Sequence, residues 1–200
     1  MNMHALRNGF FLSALLTLSG CSILPEKAPS TLYRLPATTM QSDPATITQP
    51  ERLGIATPEA GHLLSSNRIV VFPEGNVVNV YEGARWHEDA PDMLQAQLIA
   101  GLQQQELFAN VSSDRLPHDL LLLSELRHFQ SEYDTSPPSV NLQLDVQLLG
   151  ADQQPVASTS FAIRERATST EIPDVVNAFG SATDRLTEQL ASWLITNAPD

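Results

Sequence analysis

VNLQLDVQL, residues 140–148, alternates without a fault: Val140, Leu142, Leu144, Val146 and Leu148 are apolar, and Asn141, Gln143, Asp145 and Gln147 between them are polar. Side chains of a strand point to opposite faces in turn, so a period of two predicts a β-strand with one buried and one wet face. A wet face suits an antiparallel sheet better than a parallel one, which is covered on both sides. Downstream, Gly150-Ala151-Asp152 leads through a turn to Pro155, and residues 156–166 return with Phe161 and Ile163 on one side. Two long runs joined by a short loop are expected to pair antiparallel. Upstream, residues 120–129 open with four leucines and read as a mostly buried central strand, although a short buried helix would look the same over the first half.

Working further outward, residues 68–72 (RIVVF) and 53–57 read as strands, and Pro73-Glu74-Gly75-Asn76 is a turn signal before Val77, Val78, Val80 and Tyr81. Residues 68–81 are thus expected to form a hairpin. Leu32, Tyr33 and Leu35 give a short strand, residues 107–111 a connecting one, and residues 36–51 a long Pro/Thr-rich surface loop. Two helices are predicted. The first runs from Pro91, a residue suited to a helix start, to Gln104, with Leu94, Leu98 and Leu102 in one stripe. The second runs from Ile172 to Thr196 with a 3.6-residue apolar period through Phe179, Leu186, Leu190 and Trp193; Gly180 weakens it by about 1 kcal/mol. Strands in meanders with only two helices argue an α+β fold: a single domain in which one antiparallel β-sheet is packed on one face by both helices.

The chain has 200 residues, enough for one ordinary domain, and its 42% apolar content argues against disorder as a whole. With 11 basic and 23 acidic residues the net charge is −12, which excludes a counterion-release case for nucleic acid and any bulk attraction to anionic lipid. One cysteine, Cys21, cannot form an internal disulfide.

The first twenty residues read as a leader. Arg7 supplies its positive charge, and residues 10–18 (FFLSALLTL) are apolar but too few for the about 20 residues that span a bilayer. Leu18-Ser19-Gly20 stands immediately before Cys21, and this stretch resembles the bacterial lipobox. The resemblance implies cleavage before Cys21, a diacylglyceryl group on its sulfur and an acyl chain such as palmitate on its new amino terminus. The cysteine is then a tether, since several acyl chains anchor stably where one does so marginally. Removing Arg7 leaves 10 basic residues against 23 acidic ones, a mature charge of −13. Residue 22 is Ser22 and not the aspartate that retains many enterobacterial lipoproteins at the inner membrane, which favours the outer membrane. Residues 1–20 are thus the expected leader, 21–30 a lipidated spacer, and 31–200 the periplasmic domain.

The order of features resembles a known family, the ABC-type transport auxiliary lipoproteins that accompany MCE-domain transport systems. It lies in the lipobox, in Tyr33-Arg34-Leu35-Pro36, in Arg68-Ile69-Val70-Val71, and above all in Tyr81-Glu82-Gly83-Ala84-Arg85-Trp86 followed by Ala90-Pro91-Asp92-Met93-Leu94. The resemblance covers residues 21–196 except the loop at 36–51. It implies a periplasm-facing, lipid-anchored, non-catalytic component working with an MCE-domain subunit, a permease and an ATPase in envelope lipid traffic and membrane integrity. A homo-oligomer is compatible with it.

Chemical alternatives have little material. Of the four mature histidines, His62, His87, His118 and His128, none forms His-Glu-x-x-His, and no second cysteine is present to build a closed zinc site. The group His87, Glu88, Asp89 and Asp92 could pass for a metal or acid–base cluster, but acidic residues before a helix also serve its N-terminus. No Gly-x-Ser-x-Gly elbow or phosphate loop occurs, so no catalytic residue, cofactor or metal is expected. Tyr81 and Trp86 are candidate partner contacts, because aromatic residues dominate interface hot spots, with core packing as the competing role. Two further functions stay open on the residues alone: a lipid-anchored periplasmic enzyme, and an assembly lipoprotein of another outer-membrane complex.

Overall fold

A computed structural model describes residues 29–36 and 49–199. The lipobox with Cys21, the spacer to residue 28 and most of the Pro/Thr-rich loop lie outside them.

The fold is α+β, with nine strands in one sheet and two helices. The strands are β1 (Thr31–Tyr33), β2 (Gln49–Ile55), β3 (Glu59–Ala60), β4 (Arg68–Glu74), β5 (Val77–Trp86), β6 (Phe108–Ser113), β7 (Leu120–Glu132), β8 (Ser139–Leu149) and β9 (Pro155–Arg166). The helices are α1 (Ala90–Gln104) and α2 (Ile172–Asn197), within a residue of the predicted bounds.

The long strand β7 is the hub. One of its edges takes β8, which carries β9, and both pairings are antiparallel. Its other edge takes β2, β3 and β4 in succession, each parallel to it. Beyond them lie β6, parallel to β2, and β5, antiparallel to β4, with β1 parallel to β5 at the rim. The sheet is therefore mixed, where the sequence had suggested antiparallel pairing throughout. The physical reason is reach: a turn of a few residues forces antiparallel neighbours, whereas the parallel partners here are joined by crossovers of many residues, including α1 between β5 and β6. The expected loop at 36–51 also ends early, since Gln49, Pro50 and Glu51 belong to β2. Pro50 fits because the β2–β6 register slips between Gln49 and Arg52, and β2 meets β7 only from Leu53 onward.

All five apolar residues of the 140–148 run are buried on the helix side. Against them lie Leu122, Leu126 and Phe129 of β7 and the apolar stripe of α2. Trp86, Phe129 and Phe179, from β5, β7 and α2, pack edge-on or tilted at centroid distances of 4.7 to 5.8 Å. The helices touch where Gly101 faces Thr187; a Cβ on Gly101 would come within 2.7 Å of the threonine methyl. Buried Thr183 and Thr187 donate their hydroxyls to Phe179 and Thr183 carbonyls one turn back, which settles two polar groups inside the core.

Gly180 is explained by an approach of the same kind. A Cβ there would lie 2.8 Å from the Pro36 carbonyl oxygen, so the chain leaving β1 runs directly over α2. Leu35 is buried, and its carbonyl accepts from Gln97 Nε2 of α1 at 3.1 Å. The segment after β1 is thereby clasped by both helices.

Candidate functional site

The face of the sheet away from the helices carries most of the molecule's polar chemistry. On β8 the polar residues of the alternating run meet those of β7 and β9 in register. Asp145 accepts from Ser160 Oγ at 2.6 Å and Arg127 Nε at 2.8 Å, and Arg127 also reaches Glu125 at 2.6 Å. One repeat along, Glu132 accepts from Gln130 Nε2 and Asn141 Nδ2, both at 3.0 Å, and from Arg164 at 3.1 Å, while Arg164 also binds Asp134 at 2.6 Å. The Ser160 hydroxyl and then the Arg127 guanidinium hold the Asp145 carboxyl below the usual carboxylate range. The result is a lattice of paired charges spanning three strands.

A second clamp joins β2 to the start of β7. Arg52 and Asp119 form a two-pronged ion pair at 2.7 and 2.9 Å, and the Arg52 backbone N–H adds a third bond at 3.0 Å. These bonds hold Asp119 well below its ordinary value and raise Arg52. This pair was not readable from the sequence, because Arg52 and Asp119 are 67 positions apart and only the register brings them together.

The motif Tyr81-Glu82-Gly83-Ala84-Arg85-Trp86 is the end of β5, and its residues have distinct structural duties. Gly83 sits at φ +68°, in the left-handed region that favours glycine, where the β4–β5 register slips. Ala84 and Trp86 turn into the core. Trp86 has 0% exposure, so, unlike the partner contact expected from its type, it has no surface to offer; the indole fills the space between strand and helix. Tyr81 is half-buried, with its hydroxyl 2.9 Å from Ser131 and 3.1 Å from Tyr133, and burial pushes its phenol up. Of the two residues, only Tyr81 keeps part of its surface exposed.

The acidic group before α1 is also spread out. Asp89 is the N-cap residue with an extended backbone, but its side chain makes no capping bond, and Asp92 lies in the first turn, where a carboxylate meets the positive helix end. His87 is 3.9 Å from Glu88, and both border a 660 Å³ cleft with Leu32, Tyr33, Pro36 and Met93. Among the described residues no three His, Cys, Asp or Glu side chains are grouped as a metal site. His118 Nδ1 lies 2.8 Å from the Leu116 carbonyl and His128 Nδ1 3.0 Å from Gln130 Nε2. No described helix is long and apolar enough to cross a membrane.

The architecture defines a class: a single α+β domain whose mixed sheet has both helices on one face. The chain belongs to the family of ABC-type transport auxiliary lipoprotein components, whose sequence model matches residues 33–191. It is similar to a Xanthomonas campestris protein of known crystal structure, with 29% identity and a TM-score of 0.76 over 84% of this chain and 96% of that one. A second crystal structure, of an uncharacterized protein, shares the fold with 16% identity and a TM-score of 0.68 over 83% of this chain and 99% of that one. An uncharacterized Bradyrhizobium diazoefficiens protein is 25% identical over 154 residues, covering 76% of this chain and 41% of the relative, so the chain spans less than half of that relative's length.

Proposed function

We propose that this protein is a lipid-anchored, non-catalytic component of an MCE-type ABC transport system, held by acyl groups on Cys21 at the periplasmic face of the outer membrane. The observation that carries this reading is one chain in which the auxiliary-lipoprotein domain, residues 33–191, follows a unique cysteine preceded by Leu18-Ser19-Gly20. Its role is to bind an MCE-domain subunit that works with a permease and an ATPase in lipid traffic supporting membrane integrity. Energy for transport comes from the ATPase. The polar lattice of β7, β8 and β9 supports a binding role, since its carboxylates are already held by arginines, amides and hydroxyls and are poor candidates for general bases.

The test pairs association with genetics. The acylated protein should co-purify with the cognate MCE subunit, and deleting its gene should weaken the barrier to detergent as much as deleting the transporter, with no further loss in the double deletion. An additive defect, or no association, would return weight to the enzyme. Cys21→Ala should abolish acyl labelling and leave the folded domain intact; labelling that persists in this variant would refute the anchor.

A further inference from the structure

The direction of β1 carries information about the membrane. Thr31, Leu32 and Tyr33 pair parallel with Ala84, Arg85 and Trp86, so the chain reaching Thr31 comes from the side on which β5 begins. Ser30 shares one cleft with Val80, Tyr81 and Gly83, flanked by Arg68 and Arg85. Farther along the same line is the tip of the β4–β5 hairpin.

Glu74, Gly75 and Asn76 make the turn of that tip, and beside it two apolar side chains are bare. Val77 and Val78 are 56% and 46% exposed, although neighbours in a strand point to opposite sides, so the hairpin projects beyond the rest of the sheet. Gly75, at φ +48°, makes the turn, and residues 72–82 contain Glu74 and Glu82 but no lysine or arginine. A surface of this kind has no electrostatic attraction to anionic lipid and fits a zwitterionic leaflet.

Reach agrees with direction. Nine residue-to-residue steps lead from Cys21 to Ser30 and span at most about 30 Å. The tip lies about 23 Å from Ala84 along β5 at the usual rise of a strand. The opposite end of the sheet, where Leu116 is exposed before β7, is the length of β7 away from the tip, and a chain anchored on that side would have to double back. The fixed end of the leash is rigid, because Leu35 and Pro36 are clasped by α1 and α2.

We propose that the hairpin tip is a membrane foot: Val77 and Val78 rest at the headgroup–acyl boundary of the bilayer that holds the acyl chains of Cys21. The inference rests on acylation of Cys21 as proposed above. Two valines are too little apolar area to bind a bilayer alone, but a short tether makes their encounter with it intramolecular, and they then set the orientation of the domain.

The test uses the mature acylated chain with Val77→Cys carrying a nitroxide, on vesicles of phosphatidylethanolamine and phosphatidylcholine. Acylated Cys21 has no free thiol, so one site is labelled; Leu116→Cys reports the far end. Collision with a water-soluble nickel chelate should fall severalfold at position 77 on vesicle binding, as a side chain entering the headgroup–acyl boundary leaves bulk water, and stay unchanged at 116. Adding Val78→Asp to the Val77→Cys protein should restore nickel access without reducing vesicle flotation. Equal access at 77 and 116 in protein that floats overturns the foot and leaves the anchor standing. Protein whose N-terminal peptide lacks acyl mass and which does not float overturns the anchor itself, and the foot with it.

Discussion

The meander β7–β8–β9 and the flank β4–β5–β1 are parts of one sheet built on different terms. In the meander, short loops impose antiparallel pairing, the register runs almost unbroken over eleven residues of β8, and the β8 strand is two-faced: leucine and valine inward, polar side chains outward with Asp145 paired to Arg127. In the flank, the register slips twice between β4 and β5, the rim strand has three residues and comes from the far side of the sequence, and the valine tip is left uncovered. The contrast separates two tasks. The meander supplies the long, regular framework with most of the ion-pair lattice; the flank is where the chain arrives and where two neighbouring valines beside a turn are bare.

The sharpest way to break this contrast is to invert a face of the meander. Leu144→Asp should unfold the domain, because an unpaired buried carboxylate costs several kcal/mol against a total stability of about 5 to 15 kcal/mol. Denaturant titration of this variant beside Asp145→Asn checks it, and equal effects at the two positions would show the facing to be wrong. Next in size, Trp86→Ala should cost about 3 to 5 kcal/mol, since the flank and the meander share the Trp86–Phe129–Phe179 cluster. A loss near zero by the same titration would mean that the two regions are stabilised independently.

Gly180→Ala tests the clasp on the flank. In a helix this change normally gains about 1 kcal/mol, but here the new Cβ meets the Pro36 carbonyl, and a net loss of about 1 to 3 kcal/mol is expected from overpacking. Gly61→Ala, with nothing within 4 Å of the added atom, should leave the melting temperature unchanged. The smallest effects belong to the exposed pairs. Asp145→Asn should cost less than about 1 kcal/mol, as surface ion pairs usually do. Asp119 and Asp145 are held below their ordinary values when folded, so the unfolded chain binds more protons in acid. Their contribution is present above the ordinary carboxylate value of about 3.9 and fades as pH falls below it. Melting temperature against pH should therefore decline less steeply below about pH 4 in Asp119→Asn.

The local elements were legible in the sequence, and the non-local ones were not. The period of two at 140–148, the Pro-Glu-Gly-Asn turn and the leucine stripe of α1 each depend on neighbours a few residues away, and the structure has them where the pattern puts them. The parallel pairings, two-residue β3 and the Arg52–Asp119 clamp depend on partners dozens of positions distant. The polar side of β8 was visible as polar, but the pairing of its Asp145 with Arg127, and the bridge from Arg164 of β9 to Glu132 of β7, could be matched only once the register was known. Gly83 could be read as conformationally permissive; that it takes a positive φ where the β4–β5 register slips required the backbone.

The clasp of the β1 exit has a mechanical consequence. A pull on the N-terminus directed toward the hairpin tip acts along β1, so its rungs to β5 are loaded together in shear and not peeled one by one. Behind them, Pro36 seated against Gly180 works as a stopper that would have to be dragged past a helix before the strand could slip. The same three-residue strand lifted sideways would unzip at its first rung. A domain standing on its tip therefore takes tension from its leash along the axis in which the joint is strongest, and a domain lying on its side would take it along the weakest.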